Sequence, residues 1–509
     1  MVASLIAGER RLDGDSVLER AHRAVGGFER AGLREGDVVA VMLRNDVAFF
    51  EAMLAARLGG FYACPVNWHF KGDETGYILR DSGAAALIVH ADLLPQIEGA
   101  VPEGTRVIVV EPGAALRDAF RLAPEQCRAP AGRLEWESWL AASPAYAGPP
   151  RAPRTSMPYS SGTTGRPKGI RRRPLAPEHV ALMTEVNRIA FGIEPGMRTA
   201  SVAPLYHSAP ALHAVQSLLA GNLIVIHPRF DSERLLADIE RHRLTQLYLV
   251  LTLYVRLLRL PEKVKRRYDL GSLKFVASTG SPCPPEVKRA MIEWWGPIVT
   301  ETYASSEGGL ITWCSAEEAL ERPGTAGRPL PGAVVKILDE AGRELPPGEI
   351  GLIYTKQAAY PDFTYINNDA ARRELERDGL ITVGDMGFLD EDGYLYLRDR
   401  RSDMVISGGV NIYPAEIEAA LIQMPGVADC AVFGIPDAEF GEALAAHVQP
   451  RPGAALDAES VRVFLRERLA GYKVPRVVEF AEELPREETG KVFKRKLREP
   501  YWRDAGRRI

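Results

Sequence analysis

Short apolar runs alternate with amphipathic stretches along the first third of the chain, and this alternation restricts the fold more than any other feature. Residues 16–31 carry apolar side chains at helical spacing, with Asp15 or Ser16 placed to cap the first turn. Residues 37–42 (Asp-Val-Val-Ala-Val-Met) follow a Gly-Asp turn and read as a buried strand. Residues 48–58 read as a helix ending at Gly59-Gly60, and 86–89 and 107–110 as further buried strands. A βα alternation of this kind predicts an α/β fold, a largely parallel sheet flanked by helices. The chain has 509 residues, more than one hydrophobic core accommodates, so two or more domains are expected.

A Pro- and Ala-rich stretch at 143–153 reads as a surface connection. After Pro331-Gly332 the pattern changes. Short strands at 334–338 and 350–355 are separated by turns such as Pro346-Pro347-Gly348, which predicts a small antiparallel or β-barrel-like subdomain with its last strand at 394–397. The charged run Arg398-Asp399-Arg400-Arg401-Ser402-Asp403 follows. Beyond it come a helix from Pro414, strands at 428–433 and 444–448, and a helix from Asp457, an α+β pattern. The boundary is placed in the charged run, giving a large N-terminal domain over 1–398 and a smaller C-terminal one over 399–509. The net charge of −4 gives no reason to expect a nucleic-acid partner or an anionic membrane surface. The five cysteines are scattered without metal-ligand spacing, as for reduced thiols in a cytoplasmic protein. The N-terminal residues lack a signal-peptide core, and no apolar run approaches a transmembrane segment. The basic groups at 171–173 and 491–498 read as solvated faces.

The chemically loaded segment is Tyr159-Ser160-Ser161-Gly162-Thr163-Thr164-Gly165-Arg166-Pro167-Lys168-Gly169. Its glycines let the main chain turn tightly and approach a ligand. Its hydroxyls and free amides can donate to phosphate oxygens, and Lys168 adds a cation. It is not a Walker A loop, because Pro167 precedes the lysine and Gly169 follows it, so a P-loop kinase or ATPase is disfavoured.

This segment resembles the phosphate-binding signature of the adenylate-forming superfamily, which includes acyl-CoA synthetases, firefly-type luciferases and nonribosomal adenylation domains. Further segments resemble the same family in order. Ala203-Pro204-Leu205-Tyr206-His207 resembles the segment whose histidine lies near the carboxylate. Ser278-Thr279-Gly280-Ser281-Pro282 resembles the adenine-side loop, and Thr302-Tyr303-Ala304-Ser305-Ser306-Glu307 the Tyr-Gly-x-Thr-Glu motif. Val383-Gly384-Asp385 resembles the Thr-Gly-Asp motif. Arg400 and residues 407–416, with Gly408-Gly409, resemble the crossover into the small domain. The stretch 485–491 resembles the C-terminal lysine motif.

The resemblance implies a ligase that joins a carboxylic acid to ATP as an acyl-adenylate and then passes the acyl group to coenzyme A. A stand-alone enzyme loading a carrier protein, or a luciferase-like oxygenase, remains the alternative. Both reactants of the first step are anionic, so charge neutralisation and in-line positioning must dominate. By resemblance, Glu307 holds Mg²⁺, Ser306 (usually Thr) reaches a phosphate, Tyr303 offers its face to adenine, and Asp385 accepts from the ribose hydroxyls. Arg400 is a second nucleotide contact and Lys491 bridges acid and α-phosphate. His207, Ser208, Ala209, Pro210, Leu212, Ser278, Gly308, Gly309 and Leu310 flank the acid. They are mostly small or apolar, which suits a fatty, aromatic or polycyclic acid. Gly408-Gly409 lets the pantetheine arm of CoA pass, and Ser402 marks the hinge of a mobile C-terminal domain, where relatives usually have Asp or Lys. Amino-acid selectors often place an Asp after the equivalent of Pro204, and this chain has none there. The role of Glu301 stays open, as does a homodimer.

Overall fold

The computed structural model describes residues 4–160, 167–401, 403–407, 410–437, 439–486 and 492–503. Strand Val38–Met42 is buried at every position and lies between Tyr62–Pro65 and Ala84–His90 in a parallel sheet that continues through Arg106–Val110 and Leu134–Glu135. Its alternating side chains fill two cores. Val39 and Val41 pack with Phe49 and Phe50 of helix Val47–Leu58, while Val38, Ala40 and Met42 pack with Ile78 and Leu79 of helix Gly72–Ser82. A strand covered on both faces must be apolar throughout, which is why these runs stand out in the sequence.

The first helix spans Gly14–Arg30, two residues earlier than expected. Its cap is Asp13, not Asp15 or Ser16, and the Asp13 carboxylate accepts from Ser16 N at 2.8 Å.

A second sheet runs Gln246–Leu249, Phe275–Ser278 and Val299–Ser305 in parallel, then Gly309–Cys314 antiparallel. A third holds Arg198–Ser201, Leu223–Ile226 and the N-terminal strand Ser4–Ala7 in parallel. The subdomain after Pro331 is an antiparallel sheet around Gly351–Gln357, with Ala333–Leu338 on one side and Asp385–Leu389 on the other. The strand expected at 394–397 spans Leu395–Arg400, and the start of the charged run therefore lies in this sheet. Beyond it, Val427–Asp437 and Gly441–Pro450 form a long antiparallel hairpin. Val477–Phe480 pairs parallel to its second strand, and helices Pro414–Leu421 and Ala458–Arg466 share its apolar core.

The five cysteines are free and buried. Among the described residues no helix is long and apolar enough to cross a membrane.

Candidate functional site

A cleft of about 3630 Å³ runs along the ends of the N-terminal sheets and reaches the C-terminal domain. The expected residues Ser160, Lys168, His207, Ser208, Ala209, Leu212, Gly280, Ser281, Pro282, Tyr303, Ser306, Glu307, Gly309, Asp385 and Arg400 all line it. Ser278 and Gly308 do not. Ser278 is buried at the end of its strand, and the Gly308 amide donates to Ser305 Oγ at 2.7 Å. Ser161, Gly162, Thr163, Thr164, Gly165, Ser402, Gly408, Gly409 and Lys491 lie outside the described residues.

Strand register builds the nucleotide side. Asp385 opens strand Asp385–Leu389, and the antiparallel pairing sets it opposite Arg400. Arg400 Nε donates to Asp385 Oδ1 at 3.2 Å, and the Tyr303 hydroxyl donates to Oδ2 at 2.7 Å. Burial works against the Arg400 charge, and Asp385 together with Asp403 and Tyr303 outweighs it, so the pKa is raised. Burial, then the same carboxylate, pushes the Tyr303 phenol well up, so Tyr303 stays a neutral donor with its ring held in place. The described residues flanking the segment expected to bind phosphate are held in place: Ser160 pairs with Lys168, Tyr159 donates to Asp81 at 2.9 Å, and Tyr77 donates to Pro167 O at 3.0 Å. Lys168 Nζ stands 5.1 Å from the ring centre of Tyr365.

Tyr365 also donates to Glu307 Oε1 at 2.8 Å, which fixes the carboxylate. The other oxygen, Oε2, has no hydrogen-bond partner among the described residues and belongs to a residue on the cleft wall. One carboxylate oxygen beside a phosphate site suits Mg²⁺, which takes one or two protein carboxylates and otherwise substrate phosphates and water.

Arg172 holds this turn from behind. Its guanidinium donates to the main-chain carbonyls of Pro361 (2.9 Å), Ser306 (3.1 Å) and Glu307. The expectation of a solvated face at 171–173 is corrected here: Arg171 and Arg173 are exposed, but Arg172 is buried, because side chains alternate along strand Lys168–Arg172. Burial pulls its pKa down to about 10. Gly309, at φ +78°, lets the Tyr360 ring lie against the main chain; a Cβ would stand 2.2 Å from it.

On the acid side, His207 occupies the N-cap of helix Ser208–Leu219 and packs against Tyr206 with ring centres 4.3 Å apart. Ser208 Oγ and Ser306 Oγ are 3.2 Å apart, which joins the acid wall to the phosphate wall. Asn45, missed in the sequence, sets the turn before His207. Its amide donates to Ala203 O at 3.0 Å and His227 O at 3.1 Å and accepts from Leu205 N at 2.9 Å. Its position just after a buried parallel strand was the available signal.

On the adenine side, the open question of Glu301 is answered. Glu301 Oε1 accepts from Cys283 N at 3.1 Å, and Oε2 pairs with Lys288. Both charged residues are buried, so the pair ties the adenine-side loop to helix Pro285–Trp295. At the domain junction, Asp399 Oδ2 accepts from Ala415 N at 2.9 Å, and Lys494 pairs with Glu418 at 2.9 Å.

The AMP-binding enzyme family model matches residues 2–360, and the AMP-binding enzyme C-terminal domain model matches 416–491. The chain is 34% identical over 494 residues to a feruloyl-CoA synthase of Amycolatopsis sp, covering 95% of this chain and 92% of that protein. It is 31% identical over 498 residues to the 2-succinylbenzoate–CoA ligase of Bacillus licheniformis, covering 97% and 96%. The crystal structure of ATP-bound MatB from Rhodopseudomonas palustris superposes with a TM-score of 0.86 at 28% identity, covering 99% of this chain and 96% of that one. The chain belongs to the AMP-binding enzymes, the adenylate-forming superfamily, in its acyl-CoA synthetase branch.

Proposed function

We propose that the chain is an ATP-dependent, AMP-forming acid–CoA ligase acting on an apolar aromatic, polycyclic or fatty acid. The observation that carries this reading is the single cleft that unites the Tyr303–Asp385–Arg400 set, the Ser306-Glu307 turn and the His207 helix terminus. A nucleotide, its phosphates and a carboxylate can meet there.

In the first step an oxygen of the acid attacks the α-phosphorus, the bond to the β-phosphate oxygen breaks, and pyrophosphate leaves. Tyr303 and Asp385 hold the nucleoside, with Asp385 oriented by Arg400. Ser306 donates a hydrogen bond to a phosphate oxygen, and the Lys168 ammonium offsets phosphate charge. Glu307, steadied by Tyr365, would hold Mg²⁺, which when bound offsets phosphate charge. Lys491, in the matching motif, bridges acid and α-phosphate. In the second step the CoA sulfur bonds to the acyl carbon, the bond to AMP breaks, and the thiol proton is released. The small domain turns near Ser402, withdraws Lys491 and presents Gly408-Gly409 to the pantetheine arm. Relatives named for feruloyl and 2-succinylbenzoate thioesters support an acid with a ring.

Pyrophosphate release over an acid panel, with and without CoA, tests this. The expected result is release that turns over catalytically only with CoA and yields the thioester. Full turnover without CoA, loading of a carrier protein in its place, or light emission would overturn it.

A further inference from the structure

The acid end of the cleft contains polar groups that the two chemical steps do not use. Helix Ser208–Leu219 brings Ser208, Leu212 and Gln216 to the cleft wall. At a spacing of four they form one stripe, and the rise of about 1.5 Å per residue puts Gln216 roughly 12 Å along the axis from Ser208. The stripe starts at the reacting carboxylate's position and ends deep in the acid side.

Tyr248 lies beside that deep end. It belongs to strand Gln246–Leu249, lines the cleft, and is 3% exposed. Its ring stacks on His213, one turn before Gln216, with centres 5.6 Å apart and planes 28° apart. His213 Nε2 is 2.9 Å from Gln246 Oε1, and Gln246 in turn donates to Phe191 O at 2.6 Å. This buried set fixes the Tyr248 ring. The Tyr248 hydroxyl has no hydrogen-bond partner among the described residues, and burial keeps it protonated. The only hydrogen bond of the Gln216 side chain among the described residues is a 3.9 Å contact from Nε2 to Met183 Sδ. The walls nearby are apolar: Met183, Leu212, Val250 and Leu310. An unbranched hydrocarbon acid filling this space would leave a phenol and an amide without partners, which a buried site tolerates poorly.

We propose that the acid has an apolar, ring-containing body and carries a hydroxyl or ketone oxygen at the end far from its carboxylate. Tyr248 Oη and the Gln216 amide receive that oxygen. The proposal rests on the acid–CoA ligase reading and adds the substrate class to it.

The test uses matched acids that differ by one oxygen: 3-phenylpropanoate against 3-(4-hydroxyphenyl)propanoate, and 3-cyclohexylpropanoate against its 4-oxo analogue. kcat/KM is read from CoA-dependent pyrophosphate release, with hexanoate and decanoate as chain controls. The full-length enzyme should favour an oxygenated member by at least about tenfold, the range set by a buried polar group left unpaired. Tyr248→Phe should bring that preference to about threefold or less, in part by raising kcat/KM for the unsubstituted acid, which no longer strands a phenol, while KM for ATP stays near the parent value. Gln216→Leu, at a less buried position, should lower the preference in the same direction and guards against a folding defect in Tyr248→Phe. Equal turnover of both members by the parent, or an unchanged preference in both variants, overturns the proposal. Turnover of chain acids alone overturns the substrate class and leaves the ligase reading standing. No CoA-dependent turnover of any acid overturns both.

Discussion

Glu301 and Lys288 show how a buried ion pair shapes the loop on the expected adenine side of the cleft. The carboxylate holds the Cys283 amide and so the loop through Gly280, Ser281 and Pro282. Glu301→Gln keeps the acceptor for Cys283 but strands Lys288 in the interior. The expected loss is about 3–5 kcal/mol, because an uncompensated buried charge is the costly outcome. Adding Lys288→Met should recover much of it, with KM for ATP near the parent value. Thermal melts of the single and double variants, with ATP titration, check this; an equally unstable double variant would contradict it. Glu307→Gln should act differently. It preserves shape but removes the charge that suits a hard cation, so activity at low magnesium should fall far more than CoA affinity. Unchanged magnesium dependence would remove Glu307 from that role. His213 gives a pH signature. Burial pulls its pKa from 6.5 down to about 4, so the fold refuses a proton that the unfolded chain accepts. Its contribution to stability is therefore intact above the ordinary histidine range and falls as pH drops toward about 4, by about 3 kcal/mol in all. The gap between the melting curves of the parent and of His213→Asn should narrow over that window.

At the level of strands and helices, legibility followed burial. The runs at 37–42, 86–89 and 107–110 stood out because strands covered on both faces are apolar throughout. Strand Ser4–Ala7 did not, since it is placed in its sheet by the distant Leu223–Ile226 as well as by the short neighbouring strand Arg10–Asp13. The site motifs were legible as ordered short segments of unusual composition. Arg172 and the Glu301–Lys288 pair were not, because each acts through main-chain or buried contacts that no local pattern encodes; for Asn45 the one signal was its place after a buried strand. The junction shows the same limit. Asp403 N and Met404 N both donate to the carbonyl oxygen of Arg400, the last residue of strand Leu395–Arg400, at 2.9 and 3.0 Å. Proline at residue 402 restricts Arg401 while leaving Arg400 on its strand. Ser402→Pro should keep adenylation and lose thioester formation, as judged by pyrophosphate exchange against thioester yield. Thioester formation at the parent rate would move the pivot, with Asp403 next in line.

For the whole molecule, the proposed mechanism asks for different groups at one place in its two half-reactions, and a domain rotation is what would separate them in time. Lys491→Ala should slow adenylation by about 10²–10³ and spare thioester formation from supplied acyl-adenylate. Equal losses in both would show that the lysine acts through folding. Helix Ser208–Leu219 gives the molecule a further property. On the proposed assignment it begins at the chemistry and ends at the selecting pocket, a ruler graduated in turns of about 5.4 Å. A bulkier side chain at Leu212 should shorten the longest acid accepted by about one graduation more than the same change at Gln216. The scale can thus be recut, by evolution or by hand, without disturbing the end where bonds are made.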